Sequence, residues 1–131
     1  MPARNLLFLS YAVAYAEVIT ATDIYIGVNA VDYSGYPDCR AEFIQNFEAT
    51  ANLATKTGIE GDKFKIHAPI IADTKVEIIK KGLALGVDYG LTTSCYQPSD
   101  KGEPCLKCDS CQIRMQAFYE NNMQDPLLSA I

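Results

Sequence analysis

Four cysteines fall between Cys95 and Cys111, and the last three, Cys105, Cys108 and Cys111, stand at i, i+3 and i+6. No other stretch constrains the fold as tightly. A Cys-x-x-Cys turn brings two sulfurs together, and a second, overlapping turn brings the third. The intervening loop, with Pro98, Gly102 and Pro104 in it, can return Cys95 as the fourth sulfur around one tetrahedral ion. Zinc suits the set best, because thiolates are soft ligands and a closed four-sulfur shell describes a structural site. Other readings stay open. Cys-x-x-Cys-x-x-Cys also opens the bacterial ferredoxin run, but here the fourth cysteine precedes the triplet and no Cys-Pro follows Cys111. Disulfides need an oxidising compartment, and the first residues carry no signal-peptide pattern. Redox Cys-x-x-Cys motifs normally hold two thiols. A structural metal site stabilises a fold without naming a reaction.

The 131 residues make one domain at most, and 49% hydrophobic content is enough for a core without disulfide staples. The formal charge of −5 argues against a broad nucleic-acid or anionic-membrane surface. It leaves room for a small anionic ligand held by a few local cations. No apolar run reaches the roughly 18 residues of a membrane span. A cytoplasmic setting is expected from the free thiols and the lack of a targeting pattern.

Residues 6–19 are almost all apolar or small, and they read as a helix buried on most sides. Such a helix at the start of a chain calls for cover, from a partner subunit or from a further portion of the protein. Arg4 and Asn5 stand at its N-terminus, where polar groups meet anions or simply cap the helix. Asp23 to Val28 is a continuous apolar run that reads as a central parallel strand. The loop that follows holds Asn29, Asp32, Tyr33, Ser34, Gly35, Tyr36, Asp38 and Arg40. Loops between a strand end and a helix start are where ligands bind in open α/β sheets. A plain polar loop with Asp38 as an N-cap accounts for part of it, but not for the tyrosines, the second aspartate and the arginine.

Residues 40–57 read as a helix, with Phe43, Phe47, Ala51 and Ala54 on one face and Gly58 as its stop. Cys39, remote from the other four thiols, reads as a small packed residue and not a fifth ligand. Phe64 to His67 alternates like a short strand, and His67, the only histidine, reads as structural. Thr74 and Glu77 form a capping box for a helix ending near Gly86. Lys75 then falls in the first turn, where a cation opposes the helix dipole; a bound anion or plain solvation would each account for it. The final helix spans 109–121, with Cys108 and Cys111 straddling its N-terminus, where amide groups favour thiolates.

Pro2-Ala3-Arg4-Asn5, Asp32 to Arg40, Thr74 to Glu77, Ser94-Cys95-Tyr96, the Cys105/Cys108/Cys111 triplet, Arg114, Phe118 and Asp125-Pro126 together carry a resemblance. They run from one end of the chain to the other, and the string Ser34-Gly35-Tyr36-Pro37-Asp38-Cys39-Arg40 is the most specific. The chain resembles the C-terminal part of the 7-cyano-7-deazaguanine synthase family of queuosine biosynthesis. The resemblance implies an α/β fold: part of a parallel sheet flanked by helices, as in the second half of a PP-loop ATP pyrophosphatase, with a zinc-binding extension. Residues 1–91 would continue the synthase core, and 92–131 would form the zinc region and last helix.

The implied activity is an ATP-dependent ligation of 7-carboxy-7-deazaguanine and ammonia to the nitrile, with Mg²⁺ accompanying ATP. Lys75 and Asp32 would serve the chemistry. Arg4, Asn5, Asn29, Ser34, Gly35, Tyr36, Asp38 and Arg40 would bind substrate in one cleft with them, and Cys95, Cys105, Cys108 and Cys111 would hold zinc. The family's Ser-Gly-Gly-x-Asp-Ser loop for ATP occurs nowhere in these residues and is expected upstream. The chain alone is therefore expected to be inactive. Its expected partners are that missing portion or another subunit, and further copies of itself. Two rivals remain: a non-enzymatic zinc module on the same scaffold, and another PP-loop enzyme such as a tRNA-thiolating one.

Overall fold

The computed structural model describes residues 3–31 and 35–129. The chain divides into two compact units, residues 1–72 and 73–131. The described part is mostly helical, with one small parallel sheet.

In the first unit, α1 (Arg4–Ile19) leads to β1 (Asp23–Tyr25); α2 (Ala41–Ala54) and α3 (Lys56–Glu60) lead to β2 (Lys65–His67). The strands pair in parallel with Ile24 opposite Ile66 and Tyr25 opposite His67. Leu9, Val13 and Ala16 form one stripe of α1 and pack with Ile24, Val28, Ile44, Ala51, Phe64 and Ile66. Phe43 and Phe47 lie partly buried against this core, while Ala54 is exposed.

Three expectations need correction. The first helix is not buried on most sides: only that one stripe is covered, and Phe8, Tyr11, Tyr15 and Val18 are exposed, Tyr11 at 77% and Val18 at 78%. Its apolar surface exceeds what the neighbouring elements of this unit can cover. The paired strand stops at Tyr25, and β1 has one described neighbour, so it is not central among the described residues. The helix expected over 40–57 ends at Ala54, because Thr55 turns extended and caps α3 by accepting from the Gly58 N–H at 3.2 Å. Gly58 is not a stop; it lies inside α3, where a Cβ would come within 2.4 Å of the Asn52 carbonyl oxygen.

Two polar residues of α2 complete the free edge of β2. The Glu48 carboxylate accepts from the Ile66 N–H at 2.7 Å. The Asn52 amide accepts from the Phe64 N–H at 2.7 Å and donates to its carbonyl at 2.9 Å. Backbone groups that the short sheet leaves over are thus satisfied by side chains one helical turn apart.

In the second unit, α4 (Lys75–Ala84) carries the anticipated capping box in full. The Thr74 N–H donates to Glu77 Oε2 at 2.7 Å, and the Glu77 N–H donates to Thr74 Oγ1 at 3.3 Å. Gly86 follows with φ of 77°, a conformation suited to glycine. A 3₁₀ turn at Tyr89–Leu91 precedes the cysteine loop, and α5 (Asp109–Glu120) and α6 (Pro126–Ser129) close the chain. Ile79, Ala117 and Phe118 form the core of this unit, with the Tyr89 ring edge-on to Phe118 at 5.4 Å.

Candidate functional site

The second unit gathers the four thiols. Cys108 is the N-cap of α5 and Cys111 lies in its first turn, so the helix fixes two sulfurs. Leu106 adopts a left-handed backbone (φ 59°) and turns the following amides back toward Cys105. The Cys108 N–H then donates to Cys105 Sγ at 3.4 Å. Cys95 is returned by the loop, its sulfur accepting from the Cys105 and Gln97 N–H groups at 3.2 and 3.3 Å.

All four Sγ atoms lie within 4.8 Å of one another, and those of Cys108 and Cys111 are 3.5 Å apart. A tetrahedral four-sulfur site with metal–sulfur bonds of about 2.3 Å has edges of about 3.8 Å, so small rotamer adjustments suffice to close the cluster on one ion. The set could hold a metal such as zinc.

The electrostatics agree with that chemistry. The Tyr96 and Cys111 amides bring the Cys108 thiol down to about 6. The Lys107 and Cys108 amides lower Cys105. Burial, reinforced by the Cys108 sulfur, pushes Cys111 up to about 12. Burial, the larger cause, penalises the charged form of Cys111. A divalent ion at the centre reverses that penalty. Cys39 stands apart in the first unit; burial, and then Asp38, raises its thiol above the ordinary value.

The first unit brings together part of the expected ligand face. The carboxylate of Asp38 accepts from the Asn5 N–H at 2.8 Å, and the Asn5 side chain donates to the Asp38 carbonyl and to Cys39 Sγ, both at 3.2 Å. The Arg4 guanidinium sits 5.9 Å from the centre of the Tyr36 ring. Arg4, Asn5, Tyr36 and Asp38 therefore share one face, where the start of α1 meets the 3₁₀ turn Pro37–Cys39. Asp38 does not cap α2, as the plain-loop reading would have it; it serves the N-terminus of α1 across 33 positions. The Asn29 amide reaches the Ile70 carbonyl at 3.4 Å. Gly35 and Arg40 are exposed, Arg40 at the N-cap of α2. Asp32 and Ser34 lie outside the described residues. Lys75 is the first residue of α4, in the second unit.

His67 is accounted for structurally. Its Nε2 lies 2.6 Å from Asp23 Oδ1, and its ring stacks on the cross-strand partner Tyr25 at 4.5 Å. The hydrogen bond to His67 also holds the Asp23 carboxyl below its ordinary value.

Sequence reasoning missed the buried pair Arg114 and Asp125. Each is 5% exposed, and the guanidinium grips the carboxylate through Nε at 2.6 Å and Nη2 at 2.8 Å. A signal existed: Arg114 continues the three-residue spacing of Cys105, Cys108 and Cys111.

The chain as a whole is similar to known proteins. A family model described as Queuosine biosynthesis protein QueC matches residues 1–122. A 7-cyano-7-deazaguanine synthase of Geotalea daltonii is 61% identical over 132 residues, covering 100% of this chain and 58% of the relative. The synthase of Magnetococcus marinus is 61% identical over 126 residues, covering 96% of this chain and 55% of the relative. That of Pseudomonas syringae pv. tomato is 60% identical over 126 residues, covering 96% and 56%. The chain spans just over half the length of these curated relatives. With a match that takes in the start of α1, the Asn5–Asp38 contact and all four clustered cysteines, the chain belongs to the QueC family of queuosine biosynthesis proteins.

Proposed function

We propose that this chain is part of an ATP-dependent ligase that converts 7-carboxy-7-deazaguanine and ammonia to 7-cyano-7-deazaguanine. The observation that carries the reading is the family match over residues 1–122, with relatives named for that product. A carboxylate is a poor electrophile until its oxygen becomes part of a leaving group. Its attack on the α-phosphorus of ATP releases pyrophosphate and leaves an acyl adenylate. Ammonia then attacks the acyl carbon, and AMP departs with the former carboxylate oxygen, giving the amide. A second ATP activates the amide oxygen in the same way, and loss of AMP and a proton yields the nitrile.

In this reading Arg4 meets phosphate or carboxylate oxygens, with Lys75 as a further point charge for them. Asp32 and Ser34 hydrogen-bond the polar edge of the deazapurine, and Tyr36 stacks on its face. Asn5, Asn29, Gly35, Asp38 and Arg40 line the same cleft. The clustering of Arg4, Asn5, Tyr36 and Asp38 supports a shared face. Residues 1–91 act as the continuation of the synthase core, in the PP-loop manner, and 92–131 as its zinc-bearing region. Zinc held by Cys95, Cys105, Cys108 and Cys111 orders the chain and takes no part in the chemistry. ATP and Mg²⁺ depend on a glycine-rich loop that these residues do not contain, such a loop being the usual way to bring several backbone N–H groups to the phosphates.

The test is nitrile formation by the purified chain with ATP, Mg²⁺, ammonia and the deazaguanine acid. It is repeated with the portion of the Geotalea daltonii relative that the chain does not match. The chain alone is expected to give no product and the pair to give turnover. No turnover from the pair would favour a zinc module without chemistry. Turnover by the chain alone would show that its own residues bind ATP.

A further inference from the structure

We propose that Arg114 is a positioning residue for the metal centre: clamped by Asp125, it fixes through Thr92 the segment that delivers Cys95. The inference rests on the four cysteines holding a metal. Three of the sulfurs are local, since Cys105, Cys108 and Cys111 are set by the turn at Leu106 and the first turn of α5. Cys95 is not. It must be returned across the nine residues 96–104, and the entropy of that loop opposes its coordination.

Arg114 stands one turn beyond Cys111 on α5 and spends its donors on fixing that segment. Its Nη1 donates to Thr92 Oγ1 at 2.8 Å, and its Nη2 donates to the Tyr89 carbonyl at 2.9 Å. The Thr92 hydroxyl in turn donates to the same carbonyl at 2.9 Å, which leaves its oxygen to accept from Arg114. Thr92 is three residues before Cys95. The helix that carries two ligands is thus tied to the approach of the ligand that is remote in sequence.

Asp125 sets the guanidinium. Its two oxygens take Nε and Nη2, and Oδ1 also accepts from the Leu127 N–H at 3.1 Å. The Phe118 ring lies 5.3 Å from the guanidinium carbon. Burying an ion pair is a weak route to stability, because desolvation offsets most of the attraction. A buried Arg with its donors committed to three residues on two separate segments, 89–92 and Asp125, is better explained by the geometry it imposes. Outer-shell partners of metal ligands commonly change metal affinity about 10–100-fold.

The test uses the zinc-loaded chain. Zinc release to a chromophoric chelator is followed for wild type, Thr92→Val and the double variant Arg114→Met/Asp125→Leu, which removes both charges together. Ile79→Val, in the core of the same unit, serves as a stability control. Release is expected to quicken about tenfold or more in the Thr92 and double variants. After cobalt replaces zinc, the sulfur-to-cobalt band of those two variants should fall from four-thiolate toward three-thiolate intensity, and loss of that band should match Cys95→Ser. Four-thiolate spectra and wild-type release rates in both variants would overturn the proposal. So would equally fast release from Ile79→Val, which would make the effect one of general stability. A wild-type chain that takes up neither zinc nor cobalt would instead remove the metal reading on which this one stands.

Discussion

Asp38 shows how one side chain can serve both a fold and a site. The N–H groups of the first helical turn have no partner within the helix, and a carboxylate is the best acceptor for them. Here Asp38 reaches the Asn5 N–H at 2.8 Å. Asp38→Ala should lower stability by about 1 kcal/mol, the usual cost of losing an N-terminal acceptor. Asp38→Asn keeps an acceptor oxygen and should lose less. Chemical denaturation of the three proteins measures the difference, and wild-type stability in Asp38→Ala would show that the contact contributes nothing. The cysteines were legible at this scale because ligand spacing is local. Arg114 with Asp125 was not. They pair across 11 positions through an irregular segment; the three-residue spacing marks Arg114, but no periodicity marks Asp125 as its partner.

At the scale of elements, local signals were read well and close approaches were not. The Thr74 capping box was plain because it lies within four consecutive residues. Gly58 was misread because glycine marks both helix ends and tight contacts, and only packing against Asn52 tells which. Gly82 escaped attention for the same reason. A Cβ there would lie 2.0 Å from the Tyr89 hydroxyl oxygen and 2.8 Å from Cζ. Helix propensity alone favours Gly82→Ala by about 1 kcal/mol. Overpacking costs about 1–3 kcal/mol, so the variant should be less stable, with part of the loss recovered in Gly82→Ala/Tyr89→Phe. A stabilised Gly82→Ala would refute the contact.

The capping box also predicts a response to acid. Hydrogen bonds from the Thr74 backbone and hydroxyl hold the Glu77 carboxyl below its ordinary value of 4.5. Its contribution is therefore complete above that value and is lost as pH falls through the lower, folded one. Acid titration of helicity should show α4 fraying in that range, and Glu77→Gln should lack the step. An identical acid profile in both proteins would count against it.

On the scale of the whole molecule, α1 carries the clearest consequence. Phe8, Tyr11, Tyr15 and Val18 follow one another at helical spacing and are all exposed. The sequence showed that this helix is apolar nearly all round. It could not show which stripe the unit covers, since that depends on where β1 and the 3₁₀ turn lie. An apolar stripe of this kind favours association. Sedimentation of the chain alone should show concentration-dependent oligomers, and Tyr11→Glu/Tyr15→Lys should shift them toward monomer. A monomer at every concentration would contradict this. No helix among the described residues is long and apolar enough to cross a membrane, so the stripe is not a span.

The cysteine cluster joins the legible and the hidden parts of the molecule, and its metal is the central claim. X-ray absorption on the purified chain, with elemental analysis of the same sample, tests that claim most directly. One zinc per chain with four sulfurs at about 2.3 Å is the expected result. Stoichiometric iron with a brown absorbance, or a zinc shell with fewer than four sulfurs, would contradict it.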